Sequence, residues 1–371
     1  TGENQRKNGT YEYRYSDGHG KIRSVYGKTL EALRKKEEAI QRDIADGIDY
    51  TAGEITVSEL VDRYMNLKRD LSENTRRGYG TVINRIKESP FGEMKVRTVK
   101  LSDAKTFYIS LHDRGMKRNT IGIFHSVLHP AFEMAVDDDM IRKNPFKFQI
   151  ADILPNDAGK RTALTKAQQD IYLKYVQEYG QDNYYDDIVV LLGTGLRVSE
   201  LYGLTKQDVD FKTRCIYIDH QLCRTADKPY FITRPKTASG VRTIPMTDAV
   251  YLALKRVMKN RTVSKSERII DGYGGFIFLD KSGMPKVAMH LQNYMRGIQK
   301  KINRIYGNSF PKVTPHVLRH TFCTNMQQGG IDVKSLQYLM GHSNVSVTLD
   351  VYTHTDFNAV QEAFAKAAAS L

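Results

Sequence analysis

The C-terminal half of this 371-residue chain carries, in order, Arg197, Lys236, His316, Arg319, His342 and Tyr352. These types in this order suit neither a metal-binding cluster nor a serine-type triad. Together they describe a clamp for a phosphate with a phenolic nucleophile. A phosphodiester resists attack because its oxygens repel a nucleophile. Two guanidiniums can neutralise those oxygens through planar, two-pronged hydrogen bonding. Charge grows on the same oxygens in the transition state, so donors already in place help most there. A tyrosine hydroxyl has an ordinary pKa of roughly 10 and is mostly protonated at neutral pH. Nearby arginines favour the phenolate, and a histidine could take the proton. Each residue alone says little, since a lone histidine at a helix start is more often structural than catalytic.

The elements that must position these residues can be read around them. Leu191 to Leu204 reads as an apolar helix interrupted by Gly193 and Gly195, with Arg197 inside it. An arginine among so many apolar neighbours needs a partner or an anionic ligand. Glu200, one turn away, could hold its stem. Strand-like runs follow at Cys215 to Asp219, Tyr230 to Arg234 and Arg242 to Pro245. Ala238-Ser239-Gly240 reads as a turn between the last two, which puts Lys236 at a hairpin tip or edge. Thr314-Pro315 is a strong helix start. His316 and Arg319 then share one face at a helix N-terminus, an end that attracts anions. Gly329-Gly330 closes that helix. The next helix, Asp332 to Met340, stops at Gly341 directly before His342, and Tyr352 falls in a last short helix ahead of His354.

With these segments in view, the sequence resembles the tyrosine recombinase family. The resemblance rests on Thr194-Gly195-Leu196-Arg197 with Glu200-Leu201, and on Lys236-Thr237 with Arg242-Thr243-Ile244-Pro245. It continues through Thr314-Pro315-His316-Val317-Leu318-Arg319-His320-Thr321 and Met340-Gly341-His342-Ser343 to Val351-Tyr352-Thr353-His354. The spacing from His342 to Tyr352 is one residue longer than in many members, which suits the transposon-integrase branch. The resemblance implies that Arg197 and Arg319 clamp the scissile phosphate. It implies that His316 and His342 supply hydrogen bonds or proton transfer, that Lys236 is the acid on the leaving group, and that Tyr352 is the nucleophile. Attack would give a 3′-phosphotyrosine and a free 5′ hydroxyl, without metal, ATP or other cofactor. Two further readings are a type IB topoisomerase, which reseals the same strand, and a DNA-binding or architectural protein with a decayed site.

The rest of the chain fits a multidomain protein, mainly α with small β-sheets, since 371 residues exceed one compact core. Residues 1–50 read as a β-hairpin packed on one helix: Tyr11, Tyr13 and Tyr15 alternate with Glu12 and Arg14, and Thr29 opens a helix striped by Leu30, Leu33, Ile40 and Ile44. Its exposed face reads equally as a DNA reader or an ordinary solvated face. The resemblance makes this block an arm-type DNA-binding domain. Residues 56–150 read as wholly helical, with caps at Thr56 or Ser58 and at Ser72, and the resemblance makes them the core-binding domain. A plain helical bundle is the alternative. Pro155, Asn156, Asp157 and Gly159 mark a linker. Residues 161–356 are then the α+β catalytic domain, and 357–371 an Ala-rich helical tail that docks on a neighbouring subunit or packs on its own domain.

Composition points the same way. Net charge is +14, from 56 Lys plus Arg against 42 Asp plus Glu spread along the chain, and such a protein favours a polyanion, most often nucleic acid. Double-stranded DNA is the expected partner. Because recombination joins two duplexes, about four subunits are expected on it. An accessory directionality or DNA-bending protein stays open. No run of about 20 apolar residues exists, so no membrane span is expected. Cys215, Cys223 and Cys323 have no metal-ligand spacing and suit a reducing bacterial cytoplasm.

Overall fold

The computed structural model describes residues 2–16, 20, 22–47, 52–157, 159, 162–179, 184–225, 228–235, 237–261, 267–346 and 348–349. The chain divides into two compact units, Thr1–Gly159 and Lys160–Leu371. Lys236, Tyr352, His354 and the C-terminal tail lie outside the described residues.

The first unit opens with β1 (Gly2–Gln5), β2 (Tyr11–Ser16) and β3 (Ile22–Gly27), which form an antiparallel sheet in that order. The expected hairpin therefore has a third strand. β1 reads Gly-Glu-Asn-Gln and is exposed throughout, so no apolar alternation marks it in the sequence. Tyr13 and Tyr15 point inward onto Leu33 and Ile40 of α1 (Leu30–Ala45), which Thr29 caps through the Ala32 amide at 3.2 Å. Ile44 continues the stripe in sequence but sits beyond the sheet, 38% exposed. On the opposite face of β2, Glu12 is buried beneath Arg6, Arg14 and the Tyr26 hydroxyl.

Four helices follow: α2 (Val57–Leu67), α3 (Glu73–Lys87), α4 (Leu101–Asp113) and α5 (Arg118–Asp137). Thr56 and Glu59 form a reciprocal capping box at the start of α2, and Ser72 caps α3. The buried face of α5, from Ile121 through Phe124, Leu128 and Phe132 to Ala135, packs with Phe91, Phe107, Tyr108 and Phe146 into one aromatic-rich core. Asn144 closes this bundle, donating to His129 O at 2.9 Å and to Glu133 at 2.6 Å while accepting from the Phe146 amide.

The second unit begins with α6 (Lys166–Tyr179), α7 (Tyr185–Thr194) and α8 (Val198–Gly203). The single interrupted helix expected over Leu191 to Leu204 is two helices. Gly195 takes a left-handed backbone, φ 64°, which ends α7 and redirects the chain into α8. Five short strands follow: β4 (Val209–Asp210), β5 (Cys215–Ile218), β6 (Gln221–Cys223), β7 (Phe231–Thr233) and β8 (Arg242–Pro245). The expected hairpin between the runs at Tyr230 to Arg234 and Arg242 to Pro245 does not form. β7 pairs with β6, while β8 joins a separate sheet in the order β4-β5-β8. β7 and β8 therefore belong to different sheets, and the expected position of Lys236, at a hairpin tip or edge, lies outside the described residues. The physical reason is pattern matching: Ile216 and Ile218 of β5 face inward with Arg242 and Ile244 of β8, so those strands share one buried face.

The unit is completed by α9 (Asp248–Lys259), α10 (Ala288–Tyr306), α11 (Pro315–Gln328) and α12 (Val333–Met340). α7 is the central helix, packed against α6, α9 and α11. No helix among the described residues is long and apolar enough to cross a membrane.

Candidate active site

Arg197 sits at the N-cap of α8. Its backbone N–H donates to Glu200 Oε2 at 2.8 Å and its Nη1 to Glu200 Oε1 at 2.7 Å. The expected brace is therefore present. The Arg197 side chain stays 41% exposed while that of Glu200 is 4% exposed, so the carboxylate is buried and the guanidinium reaches outward. Glu200 has a second partner that the sequence reading did not single out. Arg242 of β8, with its side chain fully buried, donates Nη2 and Nη1 to the two Glu200 oxygens at 2.8 and 3.2 Å. Burial pushes the Glu200 carboxyl up, but Arg242 and then Arg197 outweigh it and hold it down at about 2. The signal for Arg242 was available: two residues before Ile244 in a strand, it occupies an inward-facing position where a charge needs a buried counter-charge.

α11 carries the second arginine. Thr314 caps it by accepting from the Val317 amide, and Pro315 fills the first position. His316 is exposed on the first turn, and Arg319, one turn on, is buried. Arg319 donates Nη1 to Gly195 O at 2.6 Å and Nη2 to Met340 O. Burial, reinforced by the like charge of Arg197, lowers its pKa to about 9. It keeps its charge at neutral pH, in a setting where an anion would relieve the strain between neighbouring cations.

α12 starts at the Asp332 cap and ends at Gly341, whose left-handed backbone, φ 61°, turns the chain so that His342 follows. His342 Nδ1 lies 3.0 Å from Thr348 Oγ1, and its carbonyl accepts from Gln337 Nε2 at 3.0 Å. Burial, then the charges of Arg319, Arg197 and Arg242, depress its pKa to about 4. The imidazole is therefore neutral at physiological pH and keeps both a donor and an acceptor nitrogen. Arg197 Nη2 approaches Gly341 O at 3.5 Å.

The structure thus brings Arg197, Glu200, Arg319 and His342 together and adds Arg242. Three guanidiniums stand near one buried carboxylate, which leaves a net positive charge suited to an anion. A different group, Asp208, Asp219 and His220, clusters within 4.8 Å and could in principle hold a metal ion. His220 is already engaged there, with Nδ1 2.5 Å from Asp219 Oδ1 and Nε2 2.8 Å from Gly203 O. That group serves to tie the end of α8 to the strands.

Gly195 gives a direct check on this geometry. A Cβ there would lie 2.3 Å from Phe322 Cδ1, on a backbone that disfavours side chains. Gly195→Ala is expected to lose about 1–2 kcal/mol to the left-handed conformation and about 1–3 kcal/mol to overpacking. Urea unfolding measures the loss; unchanged stability would mean that the turn is not built as described.

Residues 162–359, more than half of the chain, match the phage integrase family, and residues 1–44 match the DNA binding domain of tn916 integrase. The transposase from transposon Tn916 of Enterococcus faecalis is 39% identical over 97% of this chain and 92% of its own length. The Tn1545 transposase of Streptococcus pneumoniae matches equally. Among solved structures, the Tn1549 transposon integrase in complex with a circular intermediate DNA is 40% identical, with a TM-score of 0.79 over 84% of this chain and 99% of that one. Lambda integrase, 17% identical with a TM-score of 0.61, shares the fold. The chain belongs to the phage integrase family and is a tyrosine recombinase, an enzyme of site-specific DNA recombination.

Proposed function

We propose that this recombinase integrates and excises a conjugative transposon, and that Tyr352 attacks the scissile phosphate held by Arg197 and Arg319. The observation that carries the proposal is that those arginines and neutral His342 stand together with the buried carboxylate of Glu200. The relatives named for transposons Tn916 and Tn1545, and the Tn1549 integrase solved with transposon right end DNA, support the element type.

In the reaction, the Tyr352 oxygen bonds to phosphorus as its proton passes to a histidine of the pair His316 and His342. The bond from phosphorus to the 5′ oxygen breaks, and Lys236 protonates that oxygen. The product is a 3′-phosphotyrosine that retains the energy of the phosphodiester. A 5′ hydroxyl from another duplex reverses the step and exchanges the strand. The arginines stabilise the charge that grows on the non-bridging oxygens.

Residues 1–50 bind arm-type DNA sites, residues 56–150 and 161–356 hold the core site, and the 357–371 tail docks on a neighbouring subunit. Two joined duplexes require about four subunits, with any directionality or bending protein acting on that assembly.

The test uses nicked suicide duplexes built from the element ends. The wild-type protein is expected to form a covalent adduct visible on denaturing gels and to transfer the strand to a second duplex. Tight binding without an adduct would overturn the proposal, and resealing without transfer would make the enzyme a topoisomerase. Arg319→Ala is expected to cleave on the order of 10²–10³ more slowly while still binding DNA.

A further inference from the structure

We propose that Arg242 is a positioning residue that locks the separate segments of the catalytic set into one register. The inference rests on the site reading given above. Its residue is 1% exposed, so it cannot itself touch DNA, and any effect on the reaction must pass through its partners. Those partners belong to the segments that carry the proposed catalytic groups. Both Glu200 oxygens accept from it, and Glu200 in turn holds Arg197. Gly240 O, four residues after Lys236, accepts from Nη1 at 3.0 Å. Leu339 O, three residues before His342, accepts from Nε at 2.8 Å.

The last of these contacts belongs to a larger pattern. Three successive carbonyls at the end of α12, on Leu339, Met340 and Gly341, face Arg242, Arg319 and Arg197 respectively. The last carbonyls of a helix lack partners within it and carry partial negative charge. Here each is met by an arginine from a different segment: β8, α11 and the loop before α8. Gly341 completes the fit, because a Cβ there would lie 3.0 Å from Arg242 Nη1 and 3.1 Å from Ser239 O. The turn leading to His342 therefore rests on the Arg242 guanidinium and on the segment following Lys236.

Only arginine can serve all these acceptors at once. Its five donors lie in one rigid plane, whereas a lysine ammonium is a point charge that reaches part of the set. Loss of Arg242 would free the Arg197, Lys236 and His342 segments from one another. A misplacement of about 1 Å in a reacting constellation can slow a reaction on the order of 10²-fold.

The experiment compares wild type, Arg242→Lys and Arg242→Gln on nicked suicide duplexes, measuring DNA affinity and the single-turnover rate of adduct formation separately. A second duplex carries sulfur at the bridging 5′ position, which departs as a thiolate without needing a proton. The glutamine variant is expected to bind DNA nearly as wild type does and to cleave on the order of 10–100-fold more slowly, with the lysine variant between. The sulfur duplex is expected to recover part of the glutamine variant's loss, because it no longer needs a well-placed Lys236. Affinity and cleavage falling in step, unchanged cleavage, or no recovery on sulfur would each overturn the inference. Should the glutamine variant fail to fold, the lysine variant decides: wild-type cleavage by it overturns the idea. A wild-type protein that forms no adduct overturns the reading of the site itself.

Discussion

Tyr352→Phe is expected to abolish the covalent protein–DNA adduct altogether while leaving DNA affinity nearly unchanged. The phenylalanine ring keeps the size and apolar character of the tyrosine but lacks the one atom that bonds to phosphorus. The proposed scheme has one nucleophile, and water attack would release free ends without linking them to protein. The loss should therefore be complete rather than graded. Affinity depends instead on lysines and arginines along the duplex, on a chain with net charge +14, and these are untouched. Gel-shift titration and denaturing electrophoresis of the same reactions separate the two quantities. A DNA-linked protein band from the phenylalanine variant would move the nucleophile to another residue. Tyr338 is a poor alternative, since its hydroxyl already accepts from the Thr243 amide at 3.0 Å.

Lys236→Ala is expected to slow cleavage on the order of 10²–10⁴-fold, the range for loss of a positioned acid. The departing 5′ oxygen must gain a proton as its bond to phosphorus breaks, and an alkoxide is a poor leaving group without one. Sulfur in the same position leaves as a thiolate and needs no proton. The sulfur duplex should therefore restore cleavage by Lys236→Ala to near the wild-type rate, while leaving Arg319→Ala slow, because that variant lacks charge stabilisation rather than an acid. A lysine variant that stays equally slow on both duplexes would show that Lys236 binds the phosphate instead of protonating the leaving group.

Much of the site was legible because its signals are local. Thr314-Pro315 marks a helix start, Gly341 a helix end, and residues three apart share a face, so His316, Arg319 and His342 could be assigned to elements from short-range rules alone. The caps at Thr29, Thr56 and Ser72 followed from the same kind of pattern. The misreadings share a cause as well. β1 is silent in the sequence because a wholly exposed polar strand has no periodicity to display. The run at Tyr230 to Arg234 reads as the partner of β8 because the two are neighbours in sequence, whereas pairing is decided by which inward faces match across the fold.

The sequence by itself determined the reaction class: the residue types, their order and their spacing specify a phosphate clamp with a tyrosine, whatever the details of packing. Only the tertiary structure decided how the clamp is held. Glu200 looked like a local brace for Arg197 and proves to be shared with Arg242, 42 residues further on. The end of α12 receives arginines from three distant segments. Such links join residues far apart in the chain, and buried charges choose partners by proximity in the folded core, where low dielectric makes an unpaired charge costly. No pattern along one strand or helix can announce a partner that only folding brings near.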